Sequence, residues 1–191
     1  PNGDPDTAKI DQEKFRWLEY YKLKFSGEWY TSIIGKLVFK AQTDFGFIGA
    51  YNLNRGNIPF ERFYLGGDGM QNYALDGRET IALRGYPNQS LSSRDGSLLY
   101  NKFTFEMRYP ITLKPSASIF ALSFLESGKG YDSFREFNPF NSNRSAGMGV
   151  RIFMPAFGLL GIDFGYGFDN SNLNINQANG WETHFIIGQQ F

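Results

Sequence analysis

The sequence has no cysteine and only one histidine among its 191 residues. It can therefore build neither a disulfide framework nor a thiolate metal site, and any nucleophile–imidazole–acid chemistry has a single imidazole to draw on. Its charge leans to neither sign, with 19 Lys plus Arg against 19 Asp plus Glu. That balance leaves no basic field for nucleic acid and no acidic tail, so nucleic acid is excluded as a partner. There is also no uninterrupted apolar run of membrane-helix length, and the average hydropathy is polar. A membrane helix is thereby excluded, but a membrane is not. Barrel strands carry their lipid face in alternation, which a hydropathy scan averages away. The opening Pro1-Asn2-Gly3-Asp4-Pro5-Asp6 lacks the charged start and apolar run of a signal peptide, as expected of a mature chain or of one cut from something longer.

Aromatic residues and glycine are abundant. Twenty Phe, 11 Tyr and 3 Trp make the chain 18% aromatic, beside 22 Gly. Helical periodicity is nearly absent, whereas alternation with period two recurs, which is the signature of strands with two unlike faces. Over Phe15–Ile33 the odd positions include Phe15, Trp17, Leu23, Phe25, Trp29 and Ile33, and the even ones Lys22, Lys24, Ser26 and Glu28. A turn at Gly35-Lys36 leads to a second strand with Phe39, Phe45 and Phe47 opposite Lys40, Gln42 and Asp44. A third sets Phe103, Phe105, Met107 and Tyr109 against Lys102, Thr104, Glu106 and Arg108. The fourth, Ser116–Gly128, alternates weakly, because Phe120, Leu122 and Phe124 share a side with Glu126. The fifth places Met148, Val150, Ile152 and Met154 opposite Gly147, Gly149 and Arg151. The sixth is the cleanest, with Leu160, Ile162, Phe164, Tyr166 and Phe168 alternating with Gly161, Asp163, Gly165, Gly167 and Asp169. The seventh runs from Trp181 to Phe191.

Between the second and third strands lies a polar connection, about residues 52–96, read as free of regular structure. Within it sits the apolar-flanked tetrapeptide Leu83-Arg84-Gly85-Tyr86. A loop of such length in a compact domain has a function or is a linker. Arg84 beside a glycine and an aromatic suits a loop folded inward, the guanidinium meeting carboxylates and Gly85 allowing close backbone approach. The same four residues also fit an ordinary turn with a solvated arginine.

Connections alternate short and long along the chain, as they do in transmembrane barrels. Aromatics near strand ends, such as Trp17, Trp29, Tyr109 and Trp181, fit interfacial girdles. A soluble sandwich shares the two-faced strands but not this pairing of features, so the expectation is an all-β, antiparallel transmembrane barrel. Seven strands is an odd count, and an open edge in lipid leaves backbone groups unpaired. The chain is therefore expected to be the C-terminal part, residues 1–191, of one larger barrel domain.

The order Phe63-Tyr64-Leu65-Gly66-Gly67, Leu83-Arg84-Gly85-Tyr86, Phe105-Glu106-Met107-Arg108-Tyr109-Pro110 resembles the C-terminal half of the BamA family, central subunits of outer-membrane β-barrel assembly machinery in the BamA/TamA superfamily. The segments Arg144–Gly149, Pro155–Gly167 and Phe185–Phe191 extend the resemblance. It implies a sixteen-stranded barrel of which this chain holds the last seven strands, located in the bacterial outer membrane. The long loop becomes the family's inward sixth extracellular loop. The resemblance implies a loop clamp of Arg84, Gly85 and Tyr86 with Glu106 and Glu126, Leu83 standing where valine is usual and Glu126 where Asp is frequent. It further implies insertion of client outer-membrane proteins without a chemical reaction, contact with membrane lipid, and accessory lipoproteins reached through POTRA domains absent from this chain. A TamA-like or two-partner secretion transporter shares the arginine loop, and a passive porin would lack it.

The last strand contributes a candidate seam and C-terminal signal: Trp181, Phe185, Gly188 and Phe191. Gly188 would weaken local pairing or simply set barrel curvature. His184 has no serine or acid partner in a recognisable motif and is read as a structural donor or acceptor. Gly165-Tyr166-Gly167 sits inside a strand with no helix after it, unlike a nucleotide loop, and Asp68 lacks calcium-ligand spacing. No catalytic residue, cofactor or metal is expected.

Overall fold

Period-two alternation is realised as a single antiparallel sheet in which each long strand pairs with the next long strand in the chain. The computed structural model describes residues 19–51, 61–69, 78–155, 157–172, 175 and 177–188. The expectations placed on Phe15, Trp17, the Asp76-Gly77 turn and Phe191 lie outside them. The elements are β1 (Tyr20–Ile34), β2 (Leu37–Ala50), β3 (Phe63–Leu65), β4 (Glu79–Ile81), β5 (Leu99–Lys114), β6 (Ala117–Tyr131), β7 (Asn143–Met154), β8 (Gly158–Gly167) and β9 (Gly180–Gly188). The seven-stranded sheet has the order β1-β2-β5-β6-β7-β8-β9, with β3 and β4 forming a separate parallel pair. At about 3.3 Å per residue, strands of nine or more residues are long enough to cross a hydrocarbon layer.

The tight reversals lie at one end of the sheet. Gly35 takes φ +57° in the β1–β2 turn and Gly158 φ +81° between β7 and β8, a region that costs glycine little. All the long connections lie at the other end.

Burial is inverted relative to a soluble protein. On the outward face Phe25, Trp29, Phe105, Tyr109, Leu125, Met148 and Phe185 are exposed, whereas Lys40, Thr104, Glu106, Glu126, Arg151, Asp163 and His184 on the other face are buried. A continuous exposed apolar wall backed by buried charge is what a lipid-facing barrel sheet presents, and a sandwich would bury the aromatic face instead. The weak alternation of β6 now has its reason. Leu122, Phe124 and Glu126 all point inward and all are buried, because the inner face here is covered by protein rather than water.

Two sequence expectations are corrected. The long connection is not free of regular structure: β3 and β4 pair in parallel, Phe63 with Glu79 and Leu65 with Ile81, and bridges join Phe63 to Ser97 and Gly67 to Leu83. A loop taken out of water must pair its backbone groups, and these ladders do so. Phe63 and Leu65 also build a small core with Ile48, Leu98, Tyr100 and Tyr131, which fastens the loop to the sheet. The fourth strand does not end at Gly128: β6 continues to Tyr131, and the connection to β7, which begins at Asn143, is shorter for it. This connection contains one 3-10 turn, η1 (Phe134–Glu136), whose first residues are capped by the Ser133 hydroxyl.

Candidate functional site

Leu83 and Tyr86 are fully buried and Arg84 nearly so, because the loop descends against the inner face of β5–β9. The Arg84 guanidinium donates from Nη2 to Glu106 Oε1 and to Glu126 Oε1, both at 2.7 Å, and from Nη1 to Asp163 Oδ2 at 3.0 Å. Its backbone N–H donates to the other Glu126 oxygen at 2.8 Å. One residue is thus held by carboxylates from three strands, β5, β6 and β8. Its cationic carbon also lies 3.7 Å from the Phe124 ring centroid, a cation–π contact strengthened by the absence of water.

The carboxylates have further partners. Asp163, with no exposed surface, accepts a bidentate pair from Arg151 on β7 at 2.5 Å each. Arg108 donates to Glu106 at 2.6 and 2.8 Å, and Lys102 lies 3.3 Å from Glu126. Desolvating so many charges costs more than any one contact returns, so the network is stable only while each ion keeps its partners.

Beside the charges, the backbone of the loop docks on glycines. Gly85 has φ +86°, and a Cβ there would meet the Ser145 Cβ at 2.9 Å and the Gly167 nitrogen at 3.0 Å. From the other side, a Cβ on Gly165 would come within 2.6 Å of the Gly85 nitrogen. Only glycine on both surfaces lets the loop lie this close to β8. The Gly85 N–H donates to His184 Nε2 at 2.8 Å and its carbonyl accepts from Asn179 at 3.1 Å. The proton of a neutral His184 must then sit on Nδ1. The Tyr86 hydroxyl donates to the Arg144 carbonyl at 2.7 Å and accepts from the Asp169 N–H at 3.2 Å. Burial pushes its phenol up to about 12, so it stays a neutral donor.

The structure brings together Arg84, Gly85, Tyr86, Glu106 and Glu126. It sets the other group apart: Trp181 and Phe185 are exposed on the outward face of β9, and Phe191 lies outside the described residues. Gly188 pairs with Leu159 in the β8–β9 ladder, and a Cβ there would make only ordinary contact, 3.6 Å from the Leu159 Cβ. Sterics do not demand glycine at that position. Sequence reasoning missed Asp163 and Arg151 as members of the charge network, whereas His184, read as a structural donor or acceptor, is the acceptor of the Gly85 N–H. A signal existed for the first, since Asp163 is the one acid in the inward row Gly161, Asp163, Gly165, Gly167.

The Omp85 superfamily domain matches residues 11–191. Among solved structures, the chain is similar to the crystal structure of BamA from Haemophilus ducreyi lacking POTRA domains 1-3, at 14% identity and a TM-score of 0.62. The likeness covers 88% of this chain and 35% of that one, so the chain spans about a third of its length. No curated protein matches the sequence.

Proposed function

We propose that this chain, which belongs to the Omp85 superfamily, is the C-terminal part of an outer-membrane barrel that folds and inserts client β-barrel proteins into the outer membrane without a chemical reaction. The observation that carries the reading over a passive pore is the buried Arg84, held at 2.7–3.0 Å by Glu106, Glu126 and Asp163. A passive pore gains nothing from filling its interior with a loop and locking the loop there with buried ions. An assembly factor does, because the clamp stiffens the wall whose other strands must part. The work is done by an unpaired strand edge, which templates an incoming strand through backbone hydrogen bonds. Trp181, Phe185 and Gly188 belong to the strand at that seam, and Phe191 follows them in sequence as a C-terminal assembly signal. The partners are membrane lipid, unfolded client barrels and accessory lipoproteins bound through POTRA domains.

The test is reconstitution of the whole protein in liposomes with an unfolded barrel client, scoring client that becomes protease-protected and heat-modifiable on gels. The intact protein is expected to accelerate client folding over empty liposomes, and Arg84→Ala to lose most of that gain. A protein that conducts ions steadily and leaves client folding unchanged would sink the reading in favour of a pore. Transport of a secreted chain without insertion would move it to the secretion branch of the superfamily.

A further inference from the structure

The connection between β6 and β7, residues 132–142, does not close over the barrel interior. It folds outward, over the rim of the apolar wall. The Phe134 ring meets Phe47, an outward residue of β2, with centroids 6.0 Å apart, and Phe137 meets Tyr131 at 5.3 Å. The Tyr131 hydroxyl donates to the Asn138 carbonyl at 2.5 Å, and the Asn101 amide to the Pro139 carbonyl at 3.5 Å. Asn101 has no exposed surface although it lies on the outward side of β5. The loop covers this polar side chain at the edge of the lipid-facing wall and takes its amide N–H, while its Oδ1 keeps no partner among the described residues.

Having covered one patch, the loop exposes another. Phe134 is 53% exposed, Phe137 40% and Phe140 94%. Three exposed phenylalanines in seven residues would be a liability in water. They continue an aromatic row along the same rim, in which Tyr21 meets Phe47 at 6.2 Å and Tyr51 at 5.2 Å. Arg135 and Glu136 stand between the rings and are exposed. Apolar rings interleaved with charged side chains suit the boundary between headgroups and acyl chains.

We infer that residues 132–142 form an interfacial anchor, with Phe140 inserted at the headgroup–acyl boundary of the bilayer at the loop end of the barrel. The occupant of the patch is lipid, because the patch is continuous with the lipid-facing wall and hangs outward from it. The inference rests on that wall facing lipid. A loop gripping the membrane beside β2, β5 and β6 fixes the height of the barrel and leaves β9 outside its grip.

Nitroxide labels test this in the whole barrel, in a cysteine-free background and phosphatidylcholine vesicles. Three sites are compared: Phe140→Cys, Met148→Cys on the outward wall, and Asp95→Cys in an exposed turn of the long loop. The label at 140 is expected to lose most of the collision with a water-soluble nickel chelate seen at 95, while keeping collision with oxygen. A label at 140 as open to nickel as that at 95 overturns the anchor, and so does one shielded from both reagents, which would mean protein covers the patch. If 148 is also open to nickel, the wall itself has been misassigned. If 148 is in lipid and 140 in water, only the anchor fails.

Discussion

The backbone amide of Gly85 donates to Nε2 of His184 at 2.8 Å, joining the tip of the inward loop to the last strand of the sheet. The arginine side chain fastens the loop to β5, β6 and β8, whereas this bond ties the loop tip to β9, and Asn179 and Asn172 tie the loop to the connection before it. Replacing the imidazole by leucine leaves a buried N–H without an acceptor, a loss of about 1–3 kcal/mol. His184→Leu is therefore expected to increase protease cleavage within the loop of the folded barrel. His184→Gln, which can offer a side-chain carbonyl, is expected to restore part of the protection. Equal cleavage in all three proteins would show that the bond does not hold the loop.

Asp163 serves two arginines, and its loss strands one of them. After Asp163→Asn, Arg84 keeps Glu106 and Glu126, but Arg151 loses the bidentate partner it has at 2.5 Å. Breaking a buried pair by removing one ion costs about 3–5 kcal/mol. Glu106→Gln leaves Arg84 two carboxylates and Arg108 half-exposed, so it should cost less. Thermal unfolding in detergent is expected to rank Asp163→Asn below Glu106→Gln, with Arg151→Met recovering part of the loss in the double variant. An additive double variant would argue against the coupling.

The alternation of Ile162 and Asp163 along β8 gives a topological prediction. Position 162 faces lipid and 163 the interior, but Asp163 has no exposed surface while the loop is seated, so cysteines at the two positions in the whole barrel should differ in labelling by a membrane-impermeant thiol reagent once the loop is released. Opening the clamp with Arg84→Ala should raise labelling at 163 and leave 162 unchanged. Equal labelling of the two positions after Arg84→Ala would contradict the two-faced wall.

How much of this could be read from the chain follows from what each signal depends on. Strand faces were legible in β1, β2, β5 and β8 because alternation is a local property set by the pleat. In β6 it was not, because Leu122 and Phe124 point inward and are buried by a loop remote in sequence. Arg84, Glu106 and Glu126 could be nominated from motif order. That Asp163 completes the cage depends on how a loop some eighty residues earlier seats against β8, and no local pattern encodes that seating. The parallel β3–β4 pair escaped for a like reason, since three-residue strands have no period to read.

Glycines of β8 offer a steric test. A Cβ at position 165 would come within 2.6 Å of the Gly85 nitrogen and 2.9 Å of its Cα, and backbone cannot give way as a side-chain tip can. Gly165→Ala is expected to expel the loop tip without touching any charged group, and so to expose the loop to protease much as Arg84→Ala does. The control is Gly188→Ala, where the added methyl meets only ordinary contact. It should leave loop protection unchanged. If Gly165→Ala also leaves the loop protected, the close approach of loop and strand is wrong.

The arginine itself gives the sharpest prediction, because charge and geometry separate there. Lysine keeps the positive charge but presents a single ammonium at the end of a flexible stem, whereas Arg84 spans three carboxylates from both terminal nitrogens at once. The planar group also lies over Phe124, with its carbon 3.7 Å from the ring centroid, a stacking that an ammonium does not reproduce. A lysine at this site can reach one or two of the carboxylates and withdraws its hydrogen bonds from the remainder, which keep only Arg108, Lys102 or Arg151 as partners, at a cost approaching that of removing the arginine altogether, about 3–5 kcal/mol for a broken buried pair. Arg84→Lys is thus expected to release the loop and impair client assembly nearly as much as Arg84→Ala. The measurements are protease cleavage of the loop and the folding rate of a reconstituted client, read on the same preparations. If lysine retains most of the wild-type protection and rate, positive charge alone is what the site requires, and the three-strand clamp does not set its function.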